Sequence, residues 1–206
     1  MTVEPCAPTS PLLEWGVATA VRSGEQVSGD AHLVCPFAHG VLLAVVDGLG
    51  HGRDAAAAAE RAVHTLRVHA RESVIGLMRR CHDALAGTRG VVMSLAVFDG
   101  AEHTLTWLAV GNIRGVLVRA DPRAVPRTES QLARSGVVGL QLPILQAAVT
   151  TVAPGDLVVF ATDGVESSFT GHVTPARPQA MADRLLEEYG RSNDDALVLV
   201  GRYRGG

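Results

Sequence analysis

The chain has 206 residues, close to the roughly 100–200 residues of a typical domain, so we expect one domain spanning residues 1–206. All 18 basic residues are arginine and 21 residues are acidic, which gives a net charge of −3 and no basic arm for nucleic acid or an anionic membrane. The longest apolar runs, such as Val41–Val46, fall far short of the ~20 residues that a membrane-spanning helix needs.

The N-terminal segment Met1–Ser10 carries Glu4, two prolines and no Lys or Arg, unlike a secretory signal with its positive start. We therefore expect a cytoplasmic protein. The three cysteines are an odd number without CxxC spacing, which argues against a disulfide framework and against a zinc site. We expect Cys35 and Cys81 to be small buried hydrophobic residues.

Nine short segments rich in Val and Leu, with turn sequences between them, predict β-strands. In chain order they are Glu14–Val21, Leu33–Phe37, Gly40–Val46, Gly90–Phe98, His103–Val110, Gly115–Arg119, Leu145–Val152, Asp156–Thr162 and Ala196–Tyr203. Most of these strands follow one another directly, as in hairpins, and do not alternate with helices. This order favours an antiparallel α+β layered fold over a doubly wound parallel fold.

Two regions interrupt the strands with helical patterns. Arg53–Ala86 has apolar residues at helical spacing and predicts two helices joined near Ala70–Ser73. Pro178–Tyr189 predicts a third helix, because proline opens it and Gly190 follows its end. The polar, Arg-rich stretch Pro122–Gly136 predicts a mobile surface loop.

Acidic residues lie where predicted strands begin or end. They are Asp30, Asp47, Asp163 and the pair Asp194 and Asp195. If these strand ends meet, the carboxylates converge, and a bound hard cation such as Mg²⁺ or Mn²⁺ would relieve their repulsion. The alternative is that Asp-Gly pairs are ordinary turn sequences, which is our interpretation of Asp99 and stays open for Asp47 and Asp163.

The glycines of Gly48-Leu49-Gly50-His51-Gly52 do not predict a nucleotide site, because they lack both the GxGxxG spacing and the Gly-Lys-Ser/Thr ending of a P-loop. A helix is predicted to begin directly after them, so an anion would be favoured at its N-terminus. This pattern fits a phosphate group, though not a dinucleotide.

Three motifs together resemble a known family. They are Asp47-Gly48-Leu49-Gly50-His51-Gly52, then Ala161-Thr162-Asp163-Gly164-Val165, then Asn193-Asp194-Asp195-Ala196. In this order they resemble the SpoIIE-like branch of the protein phosphatase 2C (PPM) superfamily, over about residues 27–200. The resemblance implies two antiparallel sheets packed as a β-sandwich flanked by helices, in α-β-β-α layers. The short length is similar to that of the branch's stressosome phosphatases, which have no sensor domain.

The resemblance also implies roles for single residues. Asp47 would bridge two metal ions, Gly48 would offer its carbonyl oxygen, and Asp163 and Asp194 would be the remaining carboxylate ligands. Asp30 would act near the metals through a water.

Four other positions complete this comparison. His51 would either protonate the leaving group or position the phosphate, or else only shape its loop. Asp195 would either orient its turn or take a part in the site. Asn112 stands where many relatives have a carboxylate, which argues against a third strong metal site. Arg22 is not a clear match for the phosphate-binding arginine of eukaryotic relatives.

By resemblance, the chain would be a serine/threonine protein phosphatase that uses two Mn²⁺ or Mg²⁺ ions. A water shared by the ions would attack the phosphorus without a phosphoenzyme intermediate. The substrates would be phosphorylated STAS-domain proteins of a stressosome. Two alternatives remain: a phosphoprotein-binding scaffold with little turnover, and a phosphohydrolase of small molecules.

Overall fold

The computed structural model describes residues 10–174 and 176–205, and these form two β-sheets and three α-helices. The strands are β1 (Leu13–Ala20), β2 (Asp30–Phe37), β3 (Gly40–Gly48), β4 (Val91–Asp99), β5 (Thr104–Val110), β6 (Arg114–Val118), β7 (Thr128–Ser130), β8 (Ala133–Arg134), β9 (Ala148–Thr151), β10 (Leu157–Ala161) and β11 (Ala196–Tyr203). The helices are α1 (Arg53–Val68), α2 (Val74–Ala84) and α3 (Pro178–Tyr189), with a 3₁₀ helix at Ser167–Gly171.

The helices begin and end where local sequence predicts. The Ser73 hydroxyl accepts a hydrogen bond from the Gly76 amide at 3.2 Å and caps α2, which separates it from α1. Helix α3 opens on Pro178, and Gly190 follows its last residue. Among the described residues, none of the helices combines the length and the apolar character needed to cross a membrane.

The strands form two sheets that are almost entirely antiparallel. The first has the order β1-β11-β10-β6-β7, and the second has the order β2-β3-β4-β5-β8, with β9 also paired to β5. The two-residue contact between β5 and β8 is parallel. The predicted α+β fold, a two-sheet antiparallel β-sandwich flanked by helices, is confirmed.

Three clusters of buried apolar residues lie between the four layers of helices and sheets. One lies between helices α1 and α2 and the second sheet, one between the two sheets, and one between the first sheet and α3. Strand β3 shows why its sequence is apolar throughout. Successive side chains point to opposite faces, so Leu42 packs towards the helices while Val41 and Leu43 pack between the sheets. A strand buried on both faces has no position for a polar residue. Strand β3 accordingly has none before Asp47, its second-last residue.

Alternating strand directions bring the acidic strand ends to one edge of the sandwich. In each sheet an antiparallel neighbour begins where the previous strand ends. Asp30 at the start of β2 therefore lies opposite Asp47 near the end of β3. In the first sheet Ala161, the last residue of β10, pairs with Val198, so the residues after β10 lie beside those before β11.

The structure differs from the expectations in two segments. Residues 122–136 were expected to be a mobile loop, but they contain β7 and β8, which pair with different sheets. Their hydrogen bonds to β6 and β5 come from the backbone, so the polar side chains gave no apolar pattern to detect. The expected strand Leu145–Val152 is shorter and forms only over Ala148–Thr151.

The cysteine expectation holds for one residue and is wrong for another. Cys81 is a buried free thiol, and burial raises its pKa to about 12. Cys35 is also buried, but it is disulfide-bonded. Cys6 lies outside the described residues.

Candidate active site

A cleft of about 560 Å³ opens at the edge where the acidic strand ends meet. Its walls come from both sheets and from the loops before α1 and after β8. The lining residues include Arg22, Asp47, His51, Asn112, Asp163 and Asp194. Three of the four residues that the sequence assigns as metal ligands, Asp47, Asp163 and Asp194, therefore line a single cleft.

Asp30 and Asp47 form the inner wall of this acidic group. They are register partners on β2 and β3, and the Asp30 carboxylate accepts a hydrogen bond from the Thr162 hydroxyl at 2.7 Å. Burial, and secondly the neighbouring Asp195, Asp163 and Asp194, raise the pKa of Asp30 to about 7 against the lowering effect of that hydrogen bond.

The pKa of Asp47 is raised further, to about 8. Burial is the main cause, and the charges of the other aspartates add to it, Asp30 first. Within the described residues neither Asp30 nor Asp47 forms an ion pair, although Arg22 lines the same cleft. The two carboxyl groups are therefore not paired with a cationic side chain of the described chain.

Asp163 and Asp194 form the outer wall. Asp163 is exposed, and its carboxylate accepts a hydrogen bond from the Asn112 side-chain amide at 2.7 Å. Asp194 is half-buried, and its carboxylate accepts a hydrogen bond from the Asp195 amide at 2.9 Å. Asn112 thus belongs to the site as a neutral hydrogen-bond donor to Asp163, at the position where a carboxylate would add further repulsion.

Two glycines allow the backbone to pack closely behind these carboxylates. A β-carbon on Gly48 would lie 2.2 Å from the Ala55 carbonyl oxygen, and one on Gly164 would lie 1.9 Å from the Asp195 carbonyl oxygen. Glycine is therefore required after both Asp47 and Asp163 for packing reasons, which explains the repeated Asp-Gly pattern without a turn preference.

Asp195 is directed away from the cleft, into the loop that joins β1 to β2. It is 5% exposed, and its two carboxylate oxygens accept hydrogen bonds from the amides of Arg22 at 2.8 Å and Gly29 at 2.7 Å. Of the two expectations for Asp195, these contacts favour the one in which it orients neighbouring backbone.

His51 lies on the rim of the cleft, with its side chain 51% exposed. Its Nδ1 lies 2.6 Å from Oε1 of Glu25, a residue of the β1–β2 loop. Sequence reasoning missed Glu25 and left Arg22 unassigned, because neither residue belongs to a motif. Their only signal was position in the loop that precedes Asp30.

The donor atoms around the cleft fit a hard divalent cation. Carboxylate and carbonyl oxygens are the ligands that Mg²⁺ and Mn²⁺ prefer. A cation would offset both the cost of burying the charged forms of Asp30 and Asp47 and the repulsion from the other aspartates, the two causes that raise their pKa values. Within residues 10–174 and 176–205, no three His, Cys, Asp or Glu side chains already stand close enough together to hold a metal.

Comparison with known proteins shows which family has this arrangement. A sequence model of the family described as Stage II sporulation protein E (SpoIIE) matches residues 38–204, most of the chain. The chain belongs to the SpoIIE family. Phosphoserine phosphatase RsbX of Bacillus subtilis (strain 168) is 24% identical to it over 182 residues, which cover 87% of this chain and 88% of RsbX.

Solved structures show the same fold. One chain, from a structure described as "The bacterial stressosome: a modular system that has been adapted to control secondary messenger signaling", is 32% identical, with a TM-score of 0.84 over 92% of this chain and 99% of that one. RsbX in complex with magnesium has a TM-score of 0.84 at 21% identity, over 95% of this chain and 97% of its own. The PP2C phosphatase domain of SpoIIE from Bacillus subtilis has a TM-score of 0.79 at 22% identity, over 92% of this chain and 63% of that one.

These findings confirm the resemblance that the three aspartate motifs carry. The protein is a SpoIIE-like serine/threonine protein phosphatase of the PPM superfamily, and hence a hydrolase. The expected similarity to RsbX, a stressosome phosphatase, is also confirmed.

Proposed function

We propose that this phosphatase is metal-dependent and that Asp47, Asp163 and Asp194 hold two Mn²⁺ or Mg²⁺ ions, together with the carbonyl oxygen of Gly48. The observation that carries the proposal is the acidic cleft, in which the partly buried Asp30 and Asp47 have raised pKa values and form no ion pair within the described residues. The relative RsbX has been solved in complex with magnesium, which supports the choice of ion.

Bound divalent cations would supply Lewis acidity, lowering the pKa of a shared water and offsetting negative charge on the phosphoryl oxygens. The chain's own residues prepare the site for this chemistry. Asp30 is held by the Thr162 hydroxyl opposite Asp47, where it would act near the ions through a water. Asn112 fixes the Asp163 carboxylate with a neutral amide and so adds no further charge.

His51 is proposed as the general acid for the leaving group. Water oxygen bonds to phosphorus, the bond between phosphorus and the serine or threonine oxygen breaks, and its electron pair stays on that oxygen. The oxygen takes a proton from the protonated imidazole of His51, which is left neutral and is reprotonated by solvent. A position on the rim of the cleft suits this role, because the leaving side chain belongs to a protein outside it.

We further propose that the substrates are phosphorylated STAS-domain proteins of a stressosome and that the enzyme works in the cytoplasm. Two relatives support this substrate class: the phosphoserine phosphatase RsbX and the chain from the stressosome structure, which is 32% identical. The cleft is open at the edge of the sandwich and lined by loops, an arrangement that admits a side chain presented on another protein.

The deciding experiment measures phosphate release from a phosphorylated STAS-domain protein, a phosphoserine peptide and free nucleotides, each with and without Mn²⁺. We expect Mn²⁺-stimulated release from the two phosphoprotein substrates and at least tenfold slower release from nucleotides. Asp47→Asn should remove the activity, because it replaces a central carboxylate by a poorer cation ligand.

The matched control is Asp99→Asn, since Asp99 also precedes a glycine but its carboxylate caps a hairpin turn by accepting from Ala101 and Glu102. Faster turnover of nucleotides would favour the small-molecule phosphohydrolase. Binding of the phosphoprotein without release would favour the scaffold, and full activity of Asp47→Asn would refute the metal site.

A further inference from the structure

The contact between Glu25 and His51 joins two loops at the rim of the cleft. Glu25 Oε1 lies 2.6 Å from His51 Nδ1. An ionised carboxylate can only accept a hydrogen bond, so Nδ1 must carry the proton that is donated to Glu25. In the neutral ring this leaves Nε2 without a proton, and in the charged ring it makes Nε2 the nitrogen whose proton can leave.

Glu25 is itself held in place, because both ends of its loop are fixed to backbone beside the cleft. The Asp195 carboxylate accepts the amides of Arg22 and Gly29, the residues at the two ends of the loop. The Ser23 amide donates to the Ser192 carbonyl at 3.2 Å, and the Gly29 carbonyl accepts the Gly48 amide at 3.0 Å. The loop therefore has four hydrogen bonds that fix its ends.

The Glu25 carboxylate also lies against the start of α1. A β-carbon built on Gly52, the residue that caps this helix, would lie 3.1 Å from Glu25 Oε2. Gly52 offers no side-chain cap, and a carboxylate near a helix N-terminus is stabilised by the helix dipole. The carboxylate therefore lies close to both His51 and the N-terminus of α1, although both side chains are partly exposed.

We propose that Glu25 is a positioning residue for His51, and that Asp195 holds the loop that presents it. The proposal rests on the proposed role of His51 as general acid. After His51 gives its Nε2 proton to the leaving serine oxygen, the ring becomes the neutral tautomer with its proton on Nδ1. Glu25 accepts the Nδ1–H hydrogen bond in both the charged and the neutral ring, so Nε2 is the nitrogen that gives up its proton and later regains one from water.

The first experiment compares two leaving groups. A serine alkoxide needs a proton as it leaves, whereas p-nitrophenolate is a stable anion that does not. Glu25→Ala should lower kcat on a phosphoserine peptide on the order of tenfold, a part of the ~10²–10⁴-fold that general acid catalysis contributes, and leave kcat on p-nitrophenyl phosphate within twofold. Glu60→Ala is the matched control, since Glu60 is an exposed glutamate of α1 that forms no ion pair with any residue in the described part of the chain.

A double-mutant cycle tests whether Glu25 acts through His51. In a His51→Asn background the additional Glu25→Ala change should have no further effect on kcat, because the group that Glu25 orients is gone. Full additivity of the two effects, or an equal loss of activity on both substrates, would overturn the proposal.

The second experiment needs no activity. The ¹⁵N chemical shifts of the His51 ring in the metal-free protein report which nitrogen carries the proton. We expect the Nδ1-protonated tautomer in the parent protein and a shift towards the Nε2-protonated tautomer in Glu25→Ala. An unchanged tautomer would refute the role of Glu25. If the parent protein instead releases no phosphate from either substrate, the proposed function fails while the tautomer measurement still decides whether Glu25 controls the ring.

Discussion

Strand β10 has an acidic residue beyond each of its ends, and the chain treats the two in opposite ways. Asp156, directly before the strand, is 2% exposed, and its carboxylate accepts hydrogen bonds from Arg119 Nη1 at 3.1 Å and from the Ala120 amide at 2.8 Å. Asp163, two residues after the strand, receives a side-chain hydrogen bond from the neutral amide of Asn112 and forms no ion pair within the described residues.

The difference distinguishes a structural carboxylate from a functional one. At the Asp156 end Arg119 pairs with both Asp156 and Glu129, so each of these carboxylates has a cationic partner within the chain. At the Asp163 end, burial and secondly the surrounding aspartates raise the pKa values of Asp30 and Asp47, and a cation from solution would relieve the repulsion among these carboxylates. Whether an acidic residue at a strand end is structural or functional can therefore be judged only together with its cationic neighbours.

The largest expected effect is on activity, from Asp163→Asn. We expect kcat/KM on a phosphoserine peptide with Mn²⁺ to fall about 10²–10³-fold, as when one electrostatic stabiliser of a transition state is removed. The melting temperature of the metal-free protein should not fall, since an asparagine oxygen can still accept the Asn112 amide. Activity within twofold of the parent would remove Asp163 from the site.

Next comes Asp156→Ala, which should act on stability instead. Removing one partner of a buried ion pair costs about 3–5 kcal/mol, and because Arg119 is 15% exposed we expect the lower part of that range. Urea denaturation measures the loss. Phosphatase activity per folded molecule at 20 °C should stay within twofold, and a selective loss of activity would show that the two ends of β10 are not independent.

Metal binding should also distinguish the two ends of β10, because we expect the ion to bind at the Asp163 end. Mn²⁺ at about 100 times its Kd should stabilise the protein by about 2.7 kcal/mol, a rise in Tm of roughly 5–10 °C for a chain of this size. Thermal unfolding with and without the ion measures this rise. It should disappear in Asp163→Asn and persist in Asp99→Asn. A similar rise in all three proteins would place the bound ion elsewhere.

The smallest expected effect is the pH dependence of the metal-free protein. The folded-state pKa values of Asp30 and Asp47 are raised to about 7 and about 8 from 3.8, so the folded chain keeps protons that the unfolded chain loses. The contribution of both groups to stability therefore falls as pH rises from about 4 to about 8. Asp47→Asn should gain stability relative to the parent as pH rises through this range, as measured by urea midpoints at pH 5 and pH 8. A constant difference would contradict the raised pKa of Asp47.

Much of the fold could be predicted from the sequence because its strands are buried on both faces and its helices carry their own end signals. Helix α3 has the predicted bounds, and the break before Ser73 separates α1 from α2. Strands β7 and β8 could not be predicted, because they are short, polar and held by backbone pairing.

Some residues of the candidate site could likewise be predicted from the sequence, and others could not. Asp47 and Asp163 were found because each follows an apolar strand and precedes a glycine that the packing requires. Glu25 and Arg22 were missed, because a loop without a repeating pattern does not reveal which residues it brings near His51 or the cleft. Asp195 adjoins Asp194 in sequence, yet its carboxylate serves the neighbouring loop, a direction that only coordinates reveal.

One residue between β7 and β8 constrains how the two sheets can move. The Gln131 side chain hydrogen-bonds to the Ser94 hydroxyl and to the Leu95 carbonyl in the second sheet, while its amide donates to the Gly115 carbonyl in the first sheet at 2.8 Å. Sliding of one sheet over the other would break these bonds together. Gln131 therefore adds directional hydrogen bonds to the apolar contacts between the two sheets, and these bonds favour one alignment of the sheets over its neighbours.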